Sequence, residues 1–181
     1  FASGIPASVG GAIFMNAGAN GKETCESLQS VTFLTKEGHI REYKKEALQF
    51  GYRSSSFHSM SGAIISARFV LKPLGNFARS TQLQIIAYRK KTQPLKEKSI
   101  GCVFRNPCLE KSAGSLIDQC GLKGLQVGGA KVSEIHANFI VNNGKATALE
   151  VMDLMLQIQD CVQKKTGILL EPEVRLISYE S

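Results

Sequence analysis

The chain has 181 residues, of which 43% are apolar and 20% are charged, and its net charge is +7. This length suffices for one ordinary domain or two small ones, and the composition excludes a disordered chain, which needs low hydrophobicity and high charge. No apolar run approaches the roughly 18 residues that span a bilayer, and no signal peptide is visible. The basic balance suits nucleic acid, acidic membranes or phosphorylated small molecules as partners.

The cysteines and histidines form no metal-ligand or disulfide pattern. Five cysteines are an odd number without a C-x-x-C pair, so we expect reduced thiols in the cytoplasm rather than a disulfide framework. The three histidines lie far apart in the sequence, and we expect no metal site. These residues are Cys25, Cys102, Cys108, Cys120 and Cys161, and His39, His58 and His136.

The first segment, FASGIPASVGGAIFMNAGANGK, is rich in glycine. Phe1 stands first instead of methionine, so we expect a chain that begins inside a longer protein; a natural mature start is the alternative. Densely packed small residues let the backbone approach a ligand closely, and successive N–H groups can face an anion. The spacing matches neither G-x-G-x-x-G nor a P-loop, so a tight structural loop is an equal alternative.

The first half then predicts a hairpin, a strand and a helix. Residues 30–34 and 39–43 are β-rich runs joined by a short polar turn, and residues 63–71 (AIISARFVL) are a further strand. Residues 77–91 are predicted to be helical and to end before Pro94, a plausible hinge between domains. The basic cluster near that helix end has no RNA-recognition aromatic pattern beside it, which favours a solvated face over a phosphate-binding one.

The second half predicts two helices and two strands. A short helix over 112–120 buries one face, a short strand follows over 139–141, and a final strand covers 168–177. The clearest helix is residues 147–165, closed by lysines and Gly167. Its apolar stripe, expected in the core, is Ala148, Val151, Met152, Met155, Ile158 and Val162. The pattern as a whole predicts a mixed α+β protein in two parts, divided near residues 92–94.

The stretch SIGCVFRNPC places Cys102 between a glycine and an apolar pair, before a cation, an amide and a proline. A thiol with an ordinary pKa of about 8.5 is mostly protonated at neutral pH and can give up a proton. A packed, inert thiol is the more common use of a single cysteine. The polar residues that follow are more typical of a turn facing a ligand.

Arg53 and Glu173 are further candidates for chemistry. Arg53 lies in FGYRSSSF, and an arginine can bind a carboxylate through two parallel N–H bonds. Glu173 can orient such a cation, or donate a proton if burial raises its pKa. A surface cation and a solvated strand face are the alternatives for these two residues, and periodicity alone does not bring them together.

Seven stretches, in this order, resemble the family of UDP-N-acetylenolpyruvoylglucosamine reductases, the flavin enzymes of bacterial peptidoglycan precursor synthesis. The resemblance runs from about Gly4 to Ile177. The stretches are IPASVGGAIFMNAGANG, FGYRSSSF, GCVFRNP, SAGSLIDQCGLKG, GGAKVSEIHANFIVN, ATA and LEPEVR.

The resemblance implies a fold and a reaction. The fold is the C-terminal part of a two-lobed, FAD-binding α+β reductase: a partial FAD-binding domain over residues 1–92, a substrate-binding domain over 93–167, and a C-terminal strand with the catalytic glutamate over 168–181. The reaction uses NADPH to reduce FAD, which passes hydride to C3 of UDP-N-acetylglucosamine enolpyruvate while an acid protonates C2. The product is UDP-N-acetylmuramate, and the family implies a monomer without membrane insertion.

The same resemblance implies the site residues. Cys102 occupies the position of the family's serine proton donor, while Arg53 and Glu173 match the groups that stabilise the substrate carboxylate. Asn106 matches a contact to the uridine-diphosphate portion, and Tyr52 and His136 are further candidates for substrate binding. The segment expected to bind flavin consists of Ile5, Pro6, Ser8, Val9, Gly10, Gly11, Asn16 and Gly18.

The chain departs from the family pattern at several points. Ala7 stands where glycine is usual, and Asn20 stands where a tyrosine is usual. Forty-nine positions separate Arg53 from Cys102, which is typical of members without an extra substrate-covering loop. The family's N-terminal flavin subdomain has no counterpart in this chain. The alternative function is therefore a non-catalytic fragment that binds nucleotide-sugar but not flavin.

Overall fold

The structure, a computed structural model, describes residues 1–108 and 110–177. The chain divides into two compact units, Phe1–Tyr88 and Arg89–Ser181. Each unit combines helices with antiparallel strands, so the expected α+β class is confirmed. No helix in the described part of the chain is both long and apolar enough to cross a membrane.

The first unit is built around a three-stranded antiparallel sheet. Its elements in chain order are α1 (Val9–Phe14), β1 (Gly18–Ala19), β2 (Lys22–Glu23), β3 (Leu28–Thr35), β4 (Ile40–Lys44), β5 (Phe50–Gly51), β6 (Ser54–Ser55), β7 (Gly62–Phe69) and α2 (Asn76–Thr92), the last of which continues into the second unit. The sheet has the order β4-β3-β7, and β1-β2 and β5-β6 form separate two-stranded hairpins.

The central strand β3 carries the core of this unit, because its alternate side chains point inward. Val31 and Phe33 are buried, and the Phe33 ring stacks on the buried Phe57 ring with 5.4 Å between centroids. The predicted hairpin, strand and helix of this half are confirmed with small changes of bounds.

The glycine-rich start is partly helical. Ser8 begins α1 by accepting a hydrogen bond from the Gly11 N–H through its side-chain oxygen at 3.1 Å, which satisfies a donor that the helix leaves open. Ile13 of this helix is fully buried in the first core. The sequence predicted backbone open to a ligand or a tight loop here, and the structure instead places a six-residue helix within the segment.

The second unit packs two helices on a four-stranded antiparallel sheet. Its further elements are β8 (Ser99–Cys102), α3 (Ala113–Gln119), β9 (Gln126–Val127), β10 (Ala130–Val132), β11 (Phe139–Asn142) and α4 (Ala148–Thr166). The sheet order is β8-β11-β10-β9, and side chains from α3, α4 and the strands form the second core.

The two helices predicted for this half are confirmed. Thr147 and Glu150 form a capping box at the start of α4, and Gly167 ends the helix in the left-handed conformation, with φ of 73°. The predicted stripe needs one correction, since Ala148 is exposed. It lies in the first turn of α4, whereas Leu154, which was not predicted, is fully buried.

The predicted final strand over residues 168–177 is wrong. The described part of this segment is irregular and makes a single isolated bridge, between Pro172 and Phe104. Pro172 has no N–H to donate to a strand ladder. The main-chain hydrogen bonds at this bridge are therefore made by its neighbours Glu171 and Glu173. Residues 178–181, which belong to the same predicted strand, lie outside the described residues.

Candidate active site

Cys102 is the last residue of β8, and the structure places its side chain at the surface. β8 carries one extra residue relative to β11 between the pairs Ser99–Val141 and Cys102–Phe139, which is a β-bulge. Gly101 lies in this bulge with φ of 83°, a conformation that glycine adopts without strain. The bulge alters the side-chain alternation immediately before Cys102, so this thiol is not the packed core thiol that the sequence left open.

Three of the predicted site residues line one cleft of the second unit. Cys102, Asn106 and His136 border a cavity of about 290 Å³ together with residues of α3 and the loop before β11. These other lining residues are Ser112, Gly114, Ser115, Asp118, Lys123, Ile135, Ala137 and Asn138. The cleft is therefore formed by the end of β8, the turn that contains Asn106, helix α3 and the loop before β11, and its lining is both apolar and polar.

Asn106 links the Cys102 segment to helix α3. Its side-chain oxygen accepts a hydrogen bond from the Ala113 N–H at 3.0 Å, next to Ser112, whose hydroxyl caps the Ser115 N–H at 3.0 Å. An amide can offer a ligand the donors of its NH₂ group and the second lone pair of its oxygen.

His136 is a half-buried, neutral hydrogen-bond donor. Burial holds the pKa of His136 below its ordinary value of 6.5, and the positive charge of Lys123 lowers it further. The ring Nδ1 accepts a hydrogen bond from the Asn138 N–H at 3.2 Å, so the proton of the neutral ring lies on Nε2. The ring also packs edge-on against Phe139, with 4.7 Å between centroids.

The lowered pKa of His136 predicts a pH dependence of stability. Between the lowered pKa and 6.5 the unfolded chain binds more protons than the native protein, so the free energy of unfolding falls as the pH drops through this window. His136→Gln keeps an acceptor for the Asn138 N–H and does not titrate. We expect urea unfolding to show a smaller stability difference between pH 7 and pH 5 in His136→Gln than in the parent. An equal difference would contradict the buried, neutral state of His136.

Glu173 is attached to the Cys102 segment by its main chain. Its N–H donates to the Val103 carbonyl at 2.7 Å, and the Arg105 N–H donates to the Glu171 carbonyl at 2.8 Å. These two bonds flank the Phe104–Pro172 bridge, so Glu173 lies directly beside the residue that follows Cys102. The second unit thus brings four of the predicted residues into one region: Cys102, Asn106, His136 and Glu173.

Arg53 and Tyr52 form the two-residue turn between β5 and β6 of the first unit. Arg53 has φ of 53°, which is costly for a residue with a side chain. Its guanidinium lies 4.9 Å from the Tyr52 ring centroid, and Nη2 donates to the Gly18 carbonyl at 3.3 Å. Strained backbone positions are found more often at functional sites than in ordinary surface turns, so this conformation favours a functional role for Arg53.

The buried Asn16 holds this turn in place. Its side-chain NH₂ group donates to Glu23 Oε2 at 2.8 Å and to the Gly51 carbonyl at 3.1 Å, and its oxygen accepts from the Cys25 N–H at 3.1 Å. The side chain thereby ties the end of α1 to the β1-β2 and β5-β6 hairpins. The structure thus gives Asn16, predicted as a flavin contact, a structural task for its amide.

The remaining predicted flavin residues differ in their surroundings, and Ile5 at the start of the segment is half-buried. Pro6, Ser8 and Val9 are exposed, and Gly10 and Gly11 border a cleft of about 290 Å³ that is also lined by the Phe14, Phe33 and Phe57 rings. Small residues beside aromatic rings suit the approach of a flat ligand to the backbone. Gly18 differs, because a Cβ there would lie 2.8 Å from the Lys22 carbonyl of its own hairpin. The exposed part of the segment therefore leaves small side chains and backbone accessible beside the cleft, whereas Gly18 is needed by the fold itself.

Sequence reasoning missed the charged pair of the cleft. Lys123 and Asp118 line it and form an ion pair of 2.7 Å, which puts a cation beside His136. The motif SAGSLIDQCGLKG contained both residues, but nothing in its spacing distinguishes them from surface charges of a helix and a turn. Among residues 1–108 and 110–177 no cluster of three or more histidine, cysteine or acidic side chains is placed to hold a metal ion.

A family model identifies the class of protein to which the second unit is similar. Residues 93–177 match the family model described as UDP-N-acetylenolpyruvoylglucosamine reductase, C-terminal domain. The similarity extends through the first unit as well, because relatives with that name align with nearly the whole chain. Residues 93–177 therefore carry the C-terminal domain of the family of UDP-N-acetylenolpyruvoylglucosamine reductases, and nearly the whole chain is similar to its members.

Two relatives and one solved structure illustrate the match. The reductase of Protochlamydia amoebophila is 55% identical over 99% of this chain, and that of Chlamydia pneumoniae is 47% identical over 99%. A crystal structure of the Thermus caldophilus enzyme superimposes with a TM-score of 0.79 at 40% identity, over 96% of this chain and 62% of that one. The chain spans 60% and 58% of the length of the two curated relatives.

Proposed function

We propose that this chain provides the substrate side of a flavin-dependent reductase that converts UDP-N-acetylglucosamine enolpyruvate to UDP-N-acetylmuramate. The observation that carries the proposal is the cleft of the second unit, where an exposed thiol, an amide and a neutral histidine meet. Residues of the family motifs line this cleft, and a 55% identical relative is named for the reaction. The polyanionic substrate and NADPH also suit the net charge of +7.

Cys102 serves as the general acid in this proposal. Reduction of the enolpyruvyl double bond adds a hydride at C3 and a proton at C2. The S–H bond of Cys102 breaks as the C2–H bond forms, and the resulting thiolate regains its proton from water, which its exposed position permits.

Arg53 stabilises the negative charge that develops on the substrate carboxylate, and Glu173, which its motif assigns to the same reacting group, donates a hydrogen bond to it only when its carboxyl carries the proton. The Glu173 N–H is bonded to Val103, the residue that follows the end of β8, so the main chain holds the glutamate next to the Cys102 segment. The role of Arg53 follows from its motif and from its strained turn in the first unit. A guanidinium binds a carboxylate through paired N–H bonds and stays charged throughout the reaction.

The exposed part of residues 5–11 fits a flavin, and FAD bound there would supply the hydride, replenished by NADPH. The chain's own contribution is small side chains and open backbone at Ser8, Gly10 and Gly11, beside the aromatic rings of its core. We also propose that the protein is a monomer. The competing fragment hypothesis, binding of nucleotide-sugar without flavin, differs in predicting that the chain never acquires flavin absorbance.

Asn106, His136 and Lys123 are proposed to bind the nucleotide portion of the substrate. An amide NH₂, an imidazole Nε2–H and an ammonium are all donors, and a diphosphate and a uracil carbonyl are acceptors. The Asp118 carboxylate partners Lys123 at 2.7 Å, which keeps the ammonium at the cleft wall.

Titration of the chain with UDP-N-acetylglucosamine, followed by NMR, tests this binding role. We expect saturable shifts of the His136 ring and the Asn106 side-chain amide, and weaker binding in Lys123→Met, which keeps the aliphatic stem but loses the charge. Leu156 on the exposed face of α4 provides an internal control without shifts. Shifts spread over the surface, or none in the cleft, would contradict the proposed site.

A further inference from the structure

Asn138 is a buried amide that binds the main chain of the Cys102 segment on both of its polar atoms. The residue is 2% exposed. Its Oδ1 accepts from the Phe104 N–H at 2.9 Å, and its Nδ2 donates to the Phe104 carbonyl at 2.8 Å. Its main-chain carbonyl also accepts from the Val103 N–H at 2.9 Å. One side chain therefore takes the place of a peptide group opposite Phe104.

These contacts extend the sheet beyond the end of β8. The strand pairing with β11 ends at Cys102–Phe139, and the three Asn138 bonds carry it on to residues 103 and 104. On the opposite edge the same two residues meet the segment of Glu173 through the Val103 carbonyl and the Phe104–Pro172 bridge. Asn138 thus fixes residues 103 and 104 from one side, and these two residues lie between Cys102 and the segment of Glu173.

Asn138 also reaches the other polar residues of the cleft. Its N–H donates to His136 Nδ1 at 3.2 Å and so determines which ring nitrogen keeps the proton. Asn106 follows two residues after Phe104, the residue that the amide clamps. Cys102, Asn106 and His136 are therefore either bonded to Asn138 or no more than two residues from a residue that is, and the Glu173 N–H is bonded to Val103, which Asn138 also binds.

We propose that Asn138 is a positioning residue that sets the placement of Cys102 and Glu173 for proton delivery. This inference rests on the proposed function for its catalytic part. An apolar side chain would fill the same space, but it would leave the N–H and C=O of Phe104 buried without partners, which is unfavourable. An amide is the side chain that can accept and donate at once in this position.

Two variants separate positioning from simple support of the fold. Asn138→Leu keeps the volume and loses both bonds. Asn138→Asp keeps the shape; when ionised it accepts from the Phe104 N–H but repels the Phe104 carbonyl, and when protonated its O–H donates to that carbonyl. A carboxyl buried beside a carbonyl oxygen is protonated more easily than in water, so lowering the pH restores both bonds.

The activity test uses a chimera in which this chain replaces the matching segment of the Protochlamydia amoebophila reductase. We expect kcat to fall roughly 10²-fold in Asn138→Leu, because small displacements of reacting groups are costly. The kcat of Asn138→Asp should recover at least tenfold relative to that of the parent as the pH is lowered from 8 to 5.5, under conditions where both proteins remain folded. A kcat equal to that of the parent in Asn138→Leu, or an aspartate variant without this pH dependence, would overturn the inference.

A second readout does not depend on the reductase reaction. In the chain alone, the Phe104 and Glu173 N–H groups should exchange with D₂O faster in Asn138→Leu than in the parent, while the N–H groups of α4 exchange at the same rate. Unchanged exchange at Phe104 would overturn the inference whatever the enzyme does. An inactive parent chimera with faster exchange in the variant would instead count against the proposed function, so the two failures are distinguishable.

Discussion

In the chimera, Cys102→Ala leaves the bleaching of FAD by NADPH unchanged and slows the return of flavin absorbance on addition of the enolpyruvyl substrate. The expected loss in this second half-reaction is about 10²- to 10⁴-fold, the usual contribution of a general acid. The first half-reaction needs no proton at C2, so it does not depend on the thiol. Because Cys102 is exposed at the end of a strand, its truncation should change the free energy of unfolding by less than about 0.5 kcal/mol.

Stopped-flow absorbance on the two half-reactions measures this effect, and Cys102→Ser is the matched control. A hydroxyl occupies the same position and can donate a proton, so the serine variant should keep activity. Equal rates of substrate-dependent reoxidation in Cys102→Ala and the parent would remove Cys102 from the mechanism. An inactive serine variant would show that the site depends on the size or acidity of sulfur.

Arg53→Gly in the same chimera should reduce substrate turnover by about 10²- to 10³-fold, the range found when a group that stabilises transition-state charge is removed. The fold should tolerate the change. Glycine adopts φ of 53° without the roughly 1–2 kcal/mol that a side chain costs there, which offsets the lost Tyr52 and Gly18 contacts. We therefore expect a change of at most about 1 kcal/mol in the free energy of unfolding.

Arg53→Lys provides the comparison, since lysine keeps the charge but not the paired N–H donors. Its turnover should lie between those of the parent and the glycine variant. Steady-state rates at saturating NADPH, with urea unfolding of the same samples, measure both quantities. A glycine variant with the turnover of the parent would show that Arg53 acts only in its turn.

Local signals in the sequence were enough to predict the long elements. Thr147 and Glu150 predict the start of helix α4, and Gly167 predicts its end. The structure shows the capping box and the left-handed glycine at these positions. The hairpin of β3 and β4 follows from β-rich runs joined by a turn at Gly38, which has φ of 86°. In these cases the residues that determine where an element begins or ends lie next to it in the sequence, so its bounds can be predicted locally.

The elements that the sequence predicted wrongly depend on distant partners. Residues 168–177 alternate like a strand, but Pro172 permits one bridge, and only residues 103–105 of the described chain pair with this segment. Helix α1 was missed because glycine lowers helix propensity, while burial of Ile13 against β3 and β7 stabilises it.

The candidate site shows the same division. Cys102, Asn106, His136 and Glu173 were named from motifs, and the structure adds their proximity within the second unit. Asn138 was quoted only as a letter in a motif, because no periodicity shows that a side chain will replace a peptide group. The bulge at Gly101 was equally invisible, since it arises from pairing with a strand 40 residues away.

The most direct measurement of the central claim is the visible spectrum of the chimera without oxygen, after NADPH and then after the enolpyruvyl substrate. The parent chimera is predicted to lose its flavin bands with NADPH and to regain them on adding UDP-N-acetylglucosamine enolpyruvate, with UDP-N-acetylmuramate formed in equal amount. Flavin that stays bleached in the presence of this substrate, under conditions where the Protochlamydia amoebophila enzyme regains its colour, would contradict the claim that this chain carries the substrate side of the reductase.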